Sequence, residues 1–158
     1  MRLIISGHRR HKLEEYNYNW IERIVEQTVL ECIKTHGISL AYSGMASGVD
    51  IMFCNACFYH KLPYIACVPF DGQENTMTPN DAILREEFLG YAKEIKKVKN
   101  SWMVENCDVA IVVFDGNKGG THNVFQQLIE KKIDFYWTQA TNFLKKLTTG
   151  KMCIGAET

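Results

Sequence analysis

Three short stretches of the chain combine glycine with groups that handle anions. Gly119-Gly120-Thr121 stands where an apolar run gives way to a helical pattern, so its backbone N–H groups and the Thr121 hydroxyl could meet a phosphate at a helix start. A tight turn that needs glycine for geometry alone is the equal alternative. Ser43-Gly44-Met45-Ala46-Ser47-Gly48-Val49-Asp50 repeats the arrangement: Gly44 permits close backbone approach, Gly48 opens a helix, and Asp50 could cap that helix or accept from a ribose hydroxyl. Ser6-Gly7-His8-Arg9-Arg10 adds an imidazole and two guanidiniums, with Arg9 able to clamp a phosphate and His8 able to bind one or shuttle a proton. Taken singly, these basic residues also read as solvent-facing; three such loops together favour a phosphorylated ligand.

Carboxylates for acid–base work include Asp115, Glu86 and Glu87, with Asp50, Asp71 and Glu74 also available. Asp115 has the best address, ending an apolar strand beside the glycine loop, although a turn-forming Asp is an equal reading. The chain has no G-x-S-x-G, H-E-x-x-H, full Walker lysine motif or G-x-G-x-x-G. An ordinary NAD site is therefore not expected, and no cofactor or metal is assigned.

The elements that must carry these loops alternate. Apolar runs at Met1 to Ser6, Ile38 to Tyr42, Tyr64 to Pro69, Val109 to Phe114 and Ile133 to Trp137 read as strands. Helical spacing occupies the intervals from Asn17 to Gly37, Val49 to His60, Asp81 to Val98 and Thr121 to Lys132, with a short helix over Ser101 to Cys107. Near-continuous apolar strands alternating with helices imply an α/β fold, Rossmann-like and doubly wound in three layers around a mostly parallel sheet. In such folds ligands bind beyond the carboxyl ends of the strands, where all three loops fall.

At 158 residues the chain suits one domain, read as residues 1–137 followed by a C-terminal extension, 138–158, with room for a short helix around Phe143 to Leu147 before a fraying end. Its 46% hydrophobic and 23% charged content excludes a disordered tail protein. Zero formal net charge removes the broad electrostatic case for nucleic acid or membrane surfaces. No signal-like stretch opens the chain and no apolar run approaches the ~18 residues of a membrane span, so a cytoplasmic protein is expected. The six cysteines read as reduced thiols, with Cys54 and Cys57 packed on a helix rather than binding metal.

Together, Ser6-Gly7-His8-Arg9-Arg10, Gly44 to Asp50, Pro69-Phe70-Asp71-Gly72-Gln73, Asn100-Ser101-Trp102-Met103-Val104, Phe114-Asp115-Gly116 and Gly119-Gly120-Thr121-His122-Asn123 resemble the YpsA-like branch of the SLOG superfamily, over nearly all of residues 3–137. The resemblance implies a Rossmann-like fold with a nucleotide or sugar-phosphate pocket. It assigns Gly7, His8 and Arg9 to the first pocket loop, Gly44, Gly48 and Asp50 to the second, and Gly119, Gly120 and Thr121 to the phosphate loop, with Gln73 and Asn100 lining the pocket. LOG phosphoribohydrolases of the same superfamily resemble P-G-G-x-G-T-x-x-E, whereas this chain lacks the Glu after Thr121 and carries Lys99 where their R-K-x-x-M segment has arginine.

The sequence thus leads to binding of a phosphorylated nucleoside or derivative, with hydrolysis of an N-glycosidic bond as the enzymatic form. A non-catalytic sensor or sequestering protein is the first alternative. A structural or interaction module using Trp20 or Trp137 is the second, and a homo-oligomer is left open.

Overall fold

Side-chain alternation along the strands sets the layers. In β1 (Arg2–Gly7), Leu3 and Ile5 enter one buried cluster and Ile4 the other; in β5 (Val109–Val113), Val109, Ile111 and Val113 oppose Ala110 and Val112. The period of two sends successive side chains to opposite faces, so both faces must be covered. The computed structural model describes residues 1–14, 16–139 and 143–144.

After β1 come a single turn α1 (Arg10–Leu13), α2 (Tyr18–His36), β2 (Leu40–Ser43), α3 (Val49–Tyr59) and β3 (Tyr64–Cys67). A 3₁₀ turn at Gln73–Thr76, α4 (Pro79–Tyr91), β4 (Glu94–Lys96) and α5 (Asn100–Glu105) precede β5, and α6 (Gly120–Glu130), β6 (Asp134–Gln139) and β7 (Phe143–Leu144) follow it. Helices α2, α3 and α4 cover one face and α5 and α6 the other. This is the expected three-layer α/β, Rossmann-like doubly wound fold.

The strand order is β4-β3-β2-β1-β5-β6-β7; β1 to β6 pair in parallel, and β7 lies antiparallel on β6. The chain therefore works outward from β1 to β4, then crosses back to place β5 against the other side of β1. That reversal is the topological switch point, and it opens a crevice beyond the carboxyl ends of β1 and β5. Gly7 pairs with Val113 at the last register position, so both strands release their loops at the same level.

Helix ends follow local chemistry. The Asn17 side chain accepts from the Trp20 N–H at 3.0 Å to start α2, and Gly37, with φ 63°, ends it in the left-handed conformation. Thr78 caps α4, with Pro79 inside its first turn.

Two sequence expectations are corrected. The helix read from Asp81 to Val98 stops at Tyr91, because Ala92 turns extended and residues 94–96 pair with Ile65, Ala66 and Cys67. The open edge of β3 supplied hydrogen-bond partners that the helical spacing of Ile95 does not reveal; Ile95 is in fact exposed. Phe143 and Leu144, read as the start of a short helix, pair instead with Thr138 and Gln139. The rest of that expected helix lies outside the described residues.

Candidate functional site

The first and second loops are built against each other. The His8 N–H donates to the Val113 carbonyl at 3.1 Å, the Val49 N–H donates to the His8 carbonyl at 3.2 Å, and the Arg10 N–H reaches Ser47 Oγ at 3.5 Å. Such close backbone approach dictates two of the glycines. A Cβ on Gly7 would lie 2.7 Å from Val49 Cγ1 and 2.8 Å from the Val113 carbonyl. One on Gly48, where φ is 87°, would lie 2.6–2.7 Å from the backbone of Arg9 and Arg10 and the His8 carbonyl. Gly48 is thus a packing residue that seats the first loop on α3.

Gly119 and Gly120 are different, because a Cβ on either would meet nothing within 4 Å. Packing within the protein does not demand glycine there. Gly119 precedes α6, no side chain caps that helix, and the first N–H groups of α6 belong to Gly120, Thr121 and His122. The loop leaves donors at an unobstructed helix start.

A cavity of about 430 Å³ gathers Gly7, Arg9, Gly44, Asp50, Gln73, Asn100, Gly120 and Thr121. Eight positions named from sequence therefore share one wall system at the switch point, supplied by the loops after β1, β2, β3 and β5 and by the start of α5. Ile5, Ser6, Ala46, Pro69, Phe70, Lys99 and Ser101 complete the lining. The Phe70 ring is 44% exposed, a flat apolar face at the mouth. Phe70 belongs to the Pro69 to Gln73 stretch that carries the SLOG resemblance, yet the sequence assigned its ring no role of its own.

Gln73 serves the protein on both ends of its amide: Nε2 donates to the Gly44 carbonyl at 2.9 Å and Oε1 accepts from Arg85 Nε at 3.1 Å. It holds the Gly44 backbone at the cavity wall. Asp50 accepts from the Ala46 N–H at 3.1 Å, which closes the second loop rather than capping α3. Burial pushes its carboxyl up to about 7, against the downward pulls of that N–H and of Arg9. A Cβ on Gly44 would come within 3.0 Å of Asp50 Oδ2, so glycine there leaves room for the carboxylate.

His8 and Asp115 lie on the other side of the Arg9 and Gly120 loops, in an adjoining cavity. The Asp115 N–H lies 3.0 Å from His8 Nε2 and donates to it, and Asp115 Oδ1 stands 3.5 Å from the same nitrogen. The Asp115 carboxylate is 6% exposed and already engaged: Oδ1 accepts from the Asn117 N–H at 2.9 Å, and Oδ2 lies 3.3 Å from the Tyr16 hydroxyl and 3.6 Å from Lys12 Nζ. Desolvation raises its pKa, but the Asn117 N–H, His8 and Lys12 together outweigh it and hold the group below the usual carboxylate range. Glu86 and Glu87 are exposed on α4, and neither lines the cavity at the switch point; Glu87 borders a separate depression with Phe58, Phe88 and Tyr91.

Another cavity, about 460 Å³, lies between α2 and α3 against Asn19, Glu22, Arg23, Glu26, Asn55 and Tyr59, away from the strand ends. Among the described residues no three His, Cys, Asp or Glu side chains converge as metal ligands, and no helix is long and apolar enough to cross a membrane.

No protein-family model matches the chain, and no curated protein matches it in sequence. Solved structures do resemble it. The X-ray structure of a structural-genomics target, TM1055, superposes with a TM-score of 0.57 at 12% identity, covering 85% of this chain and 72% of that one. The Moco carrier protein of Chlamydomonas rheinhardtii gives a TM-score of 0.53, also at 12% identity, over 86% of this chain and 74% of its own. At that identity the likeness establishes a shared Rossmann-like α/β fold.

Proposed function

We propose that the crevice beyond β1 and β5 binds a nucleotide or a nucleotide-derived sugar phosphate. The carrying observation is that one cavity at the switch point unites an uncapped helix start at Gly120 and Thr121, the Arg9 guanidinium, the Asp50 carboxyl and an exposed aromatic ring. The helix N–H groups and Arg9 suit the phosphate, Asp50 and Asn100 suit sugar hydroxyls, and Phe70 offers a stacking face for the base. The resemblance to the SLOG superfamily implies a ligand of this class.

The reaction that fits is N-glycosidic hydrolysis. Asp50, with a carboxyl titrating near neutrality, donates a proton to the departing base nitrogen as the C1′–N bond breaks. Water then bonds to C1′, and its proton returns to Asp50. The bound phosphate supplies orientation. Storage or sensing without turnover is the second reading, favoured by the cavity wall having Asp50 as its one carboxylate among the described residues. Incubating a panel of nucleoside monophosphates with the protein, followed by chromatography, separates the two: free base and ribose phosphate indicate hydrolysis. Tight binding with every nucleotide recovered intact indicates storage, and no binding overturns both.

A further inference from the structure

The phosphate loop has two sides. Gly7, Arg9, Gly120 and Thr121 line the cavity described above and also a second one of about 430 Å³ on the other flank of the α6 start. The second cavity is chemically unlike the first. Where the first offers Asp50, Gln73, Asn100 and the exposed Phe70 ring with Lys99 as its lysine, the second gathers His8, Lys12, Lys118 and His122 around Asp115, with Arg9 between the two.

Its charge balance is one-sided. Arg9, Lys12 and Lys118 carry fixed positive charge, and Asp115 is the opposing carboxylate. That carboxylate is only 6% exposed, accepts from the Asn117 N–H and the Tyr16 hydroxyl, and pairs with Lys12 at 3.6 Å, so it offsets one of the three charges and leaves Arg9 and Lys118 in excess. The His8 and His122 rings each lie with their centroid 6.3 Å from that of Phe114, which is itself fully buried. Such a recess disfavours cations. It suits an anion with several oxygens, for which lysine ammoniums act as point charges.

Because the two cavities meet at Arg9 and Gly120, a group in the second is a near neighbour of a phosphate in the first. We infer that the ligand carries at least two phosphoryl groups, one on each side of the α6 start. The second sits among Lys12, Lys118, His8 and His122, making the ligand class a nucleoside diphosphate or an ester of one rather than a monophosphate. This inference rests on the nucleotide reading above and adds the number of phosphoryl groups to it.

Calorimetry at fixed ionic strength with the mono- and diphosphate of one nucleoside, and with inorganic pyrophosphate as a third probe, tests it. Wild-type protein should bind the diphosphate about tenfold or more tightly than the monophosphate, the scale of one charge-assisted contact. Lys118→Ala should erase most of that ratio while the monophosphate affinity stays within about twofold, and Lys118→Arg should restore it in part. Lys118 is exposed on the loop, so the variant keeps the fold. Equal affinity for mono- and diphosphate in wild type overturns the inference and leaves the nucleotide reading standing, as does equal weakening of both by Lys118→Ala. If no nucleoside phosphate binds but pyrophosphate does, with loss in Lys118→Ala, the nucleotide reading falls and the paired anion site stands. If none of the three binds, both fall.

Discussion

Asp50 and Asp115 each follow a strand by a few residues, yet their surroundings drive them in opposite directions. Asp50 is desolvated, has one N–H donor and titrates near 7, from an ordinary value of 3.8. Its folded-state pKa exceeds its unfolded one, so its contribution to stability is fully present below about pH 4 and is lost as pH rises through 7. Asp50→Asn should therefore be more stable than wild type at pH 8, by at least about 1 kcal/mol, with the gap closing below pH ~4. Urea unfolding at the two pH values measures it. If the hydrolytic form of the function holds, the same variant should lose about 10²-fold or more in turnover, because the proton donor is gone. Asp115 behaves conversely: its carboxyl is held low, so its stabilisation is present above the ordinary carboxylate range and disappears as pH falls through its depressed value. Asp115→Asn should cost about 1.5–3 kcal/mol at pH 7, the worth of a hydrogen bond to a charged acceptor, and nothing in strong acid. A variant as stable as wild type at pH 7 would contradict the role of Asp115 as the pin between Tyr16, Lys12 and its own turn.

At the scale of elements, the strand-to-helix loops divide their glycines between packing and access. Gly48 meets the backbone of the first loop and has φ 87°, so Gly48→Ala combines a steric overlap with a left-handed conformation that alanine resists. A loss of about 1–3 kcal/mol or more is expected, visible as a lower Tm with or without ligand. Gly120 is the contrasting case. With open space around its Cβ position, Gly120→Asp should leave Tm within a few degrees of wild type while weakening nucleoside phosphate binding by about tenfold or more, through charge repulsion at the helix start. Unchanged affinity on calorimetry would move the ligand away from α6. Helix α4 contributes from a distance: buried Arg85 donates to Gln73, and Gln73 donates to the Gly44 carbonyl, which couples the placement of α4 to the cavity wall.

Over the whole molecule, burial governs the thiols. Cys32, Cys54, Cys57, Cys67 and Cys107 are free and buried, and desolvation pushes Cys32, Cys54, Cys67 and Cys107 up to about 12 and Cys57 well above its usual range. Only a thiolate reacts quickly, so these five groups should stay silent to a thiol reagent in native protein and react together when it unfolds. Rapid native labelling at Cys54 or Cys57, located by peptide mass spectrometry, would show that α3 opens locally. The same residues fill the layer between α3 and the sheet, which explains why a C-x-x-C spacing here belongs to packing.

The sequence by itself determined the layering, the switch-point loops and most of the pocket wall, because these rest on short-range regularities: alternation along strands, helical spacing, and glycine beside polar residues at strand ends. Gly119-Gly120-Thr121 could be located without knowing what surrounds it. Tertiary structure decided everything that depends on which distant groups meet. The edge strand β4 exists because β3 presents an unpaired ladder, and that outweighs a helical pattern running through Ile95. Phe70 joins the cavity through the path of the chain after β3, while Glu86 and Glu87 are carried away from it by the orientation of α4. Above all, the contrast between Asp50 and Asp115 is invisible in one dimension: desolvation and neighbouring charge set a carboxyl's protonation, and both are fixed only when the loops close around it.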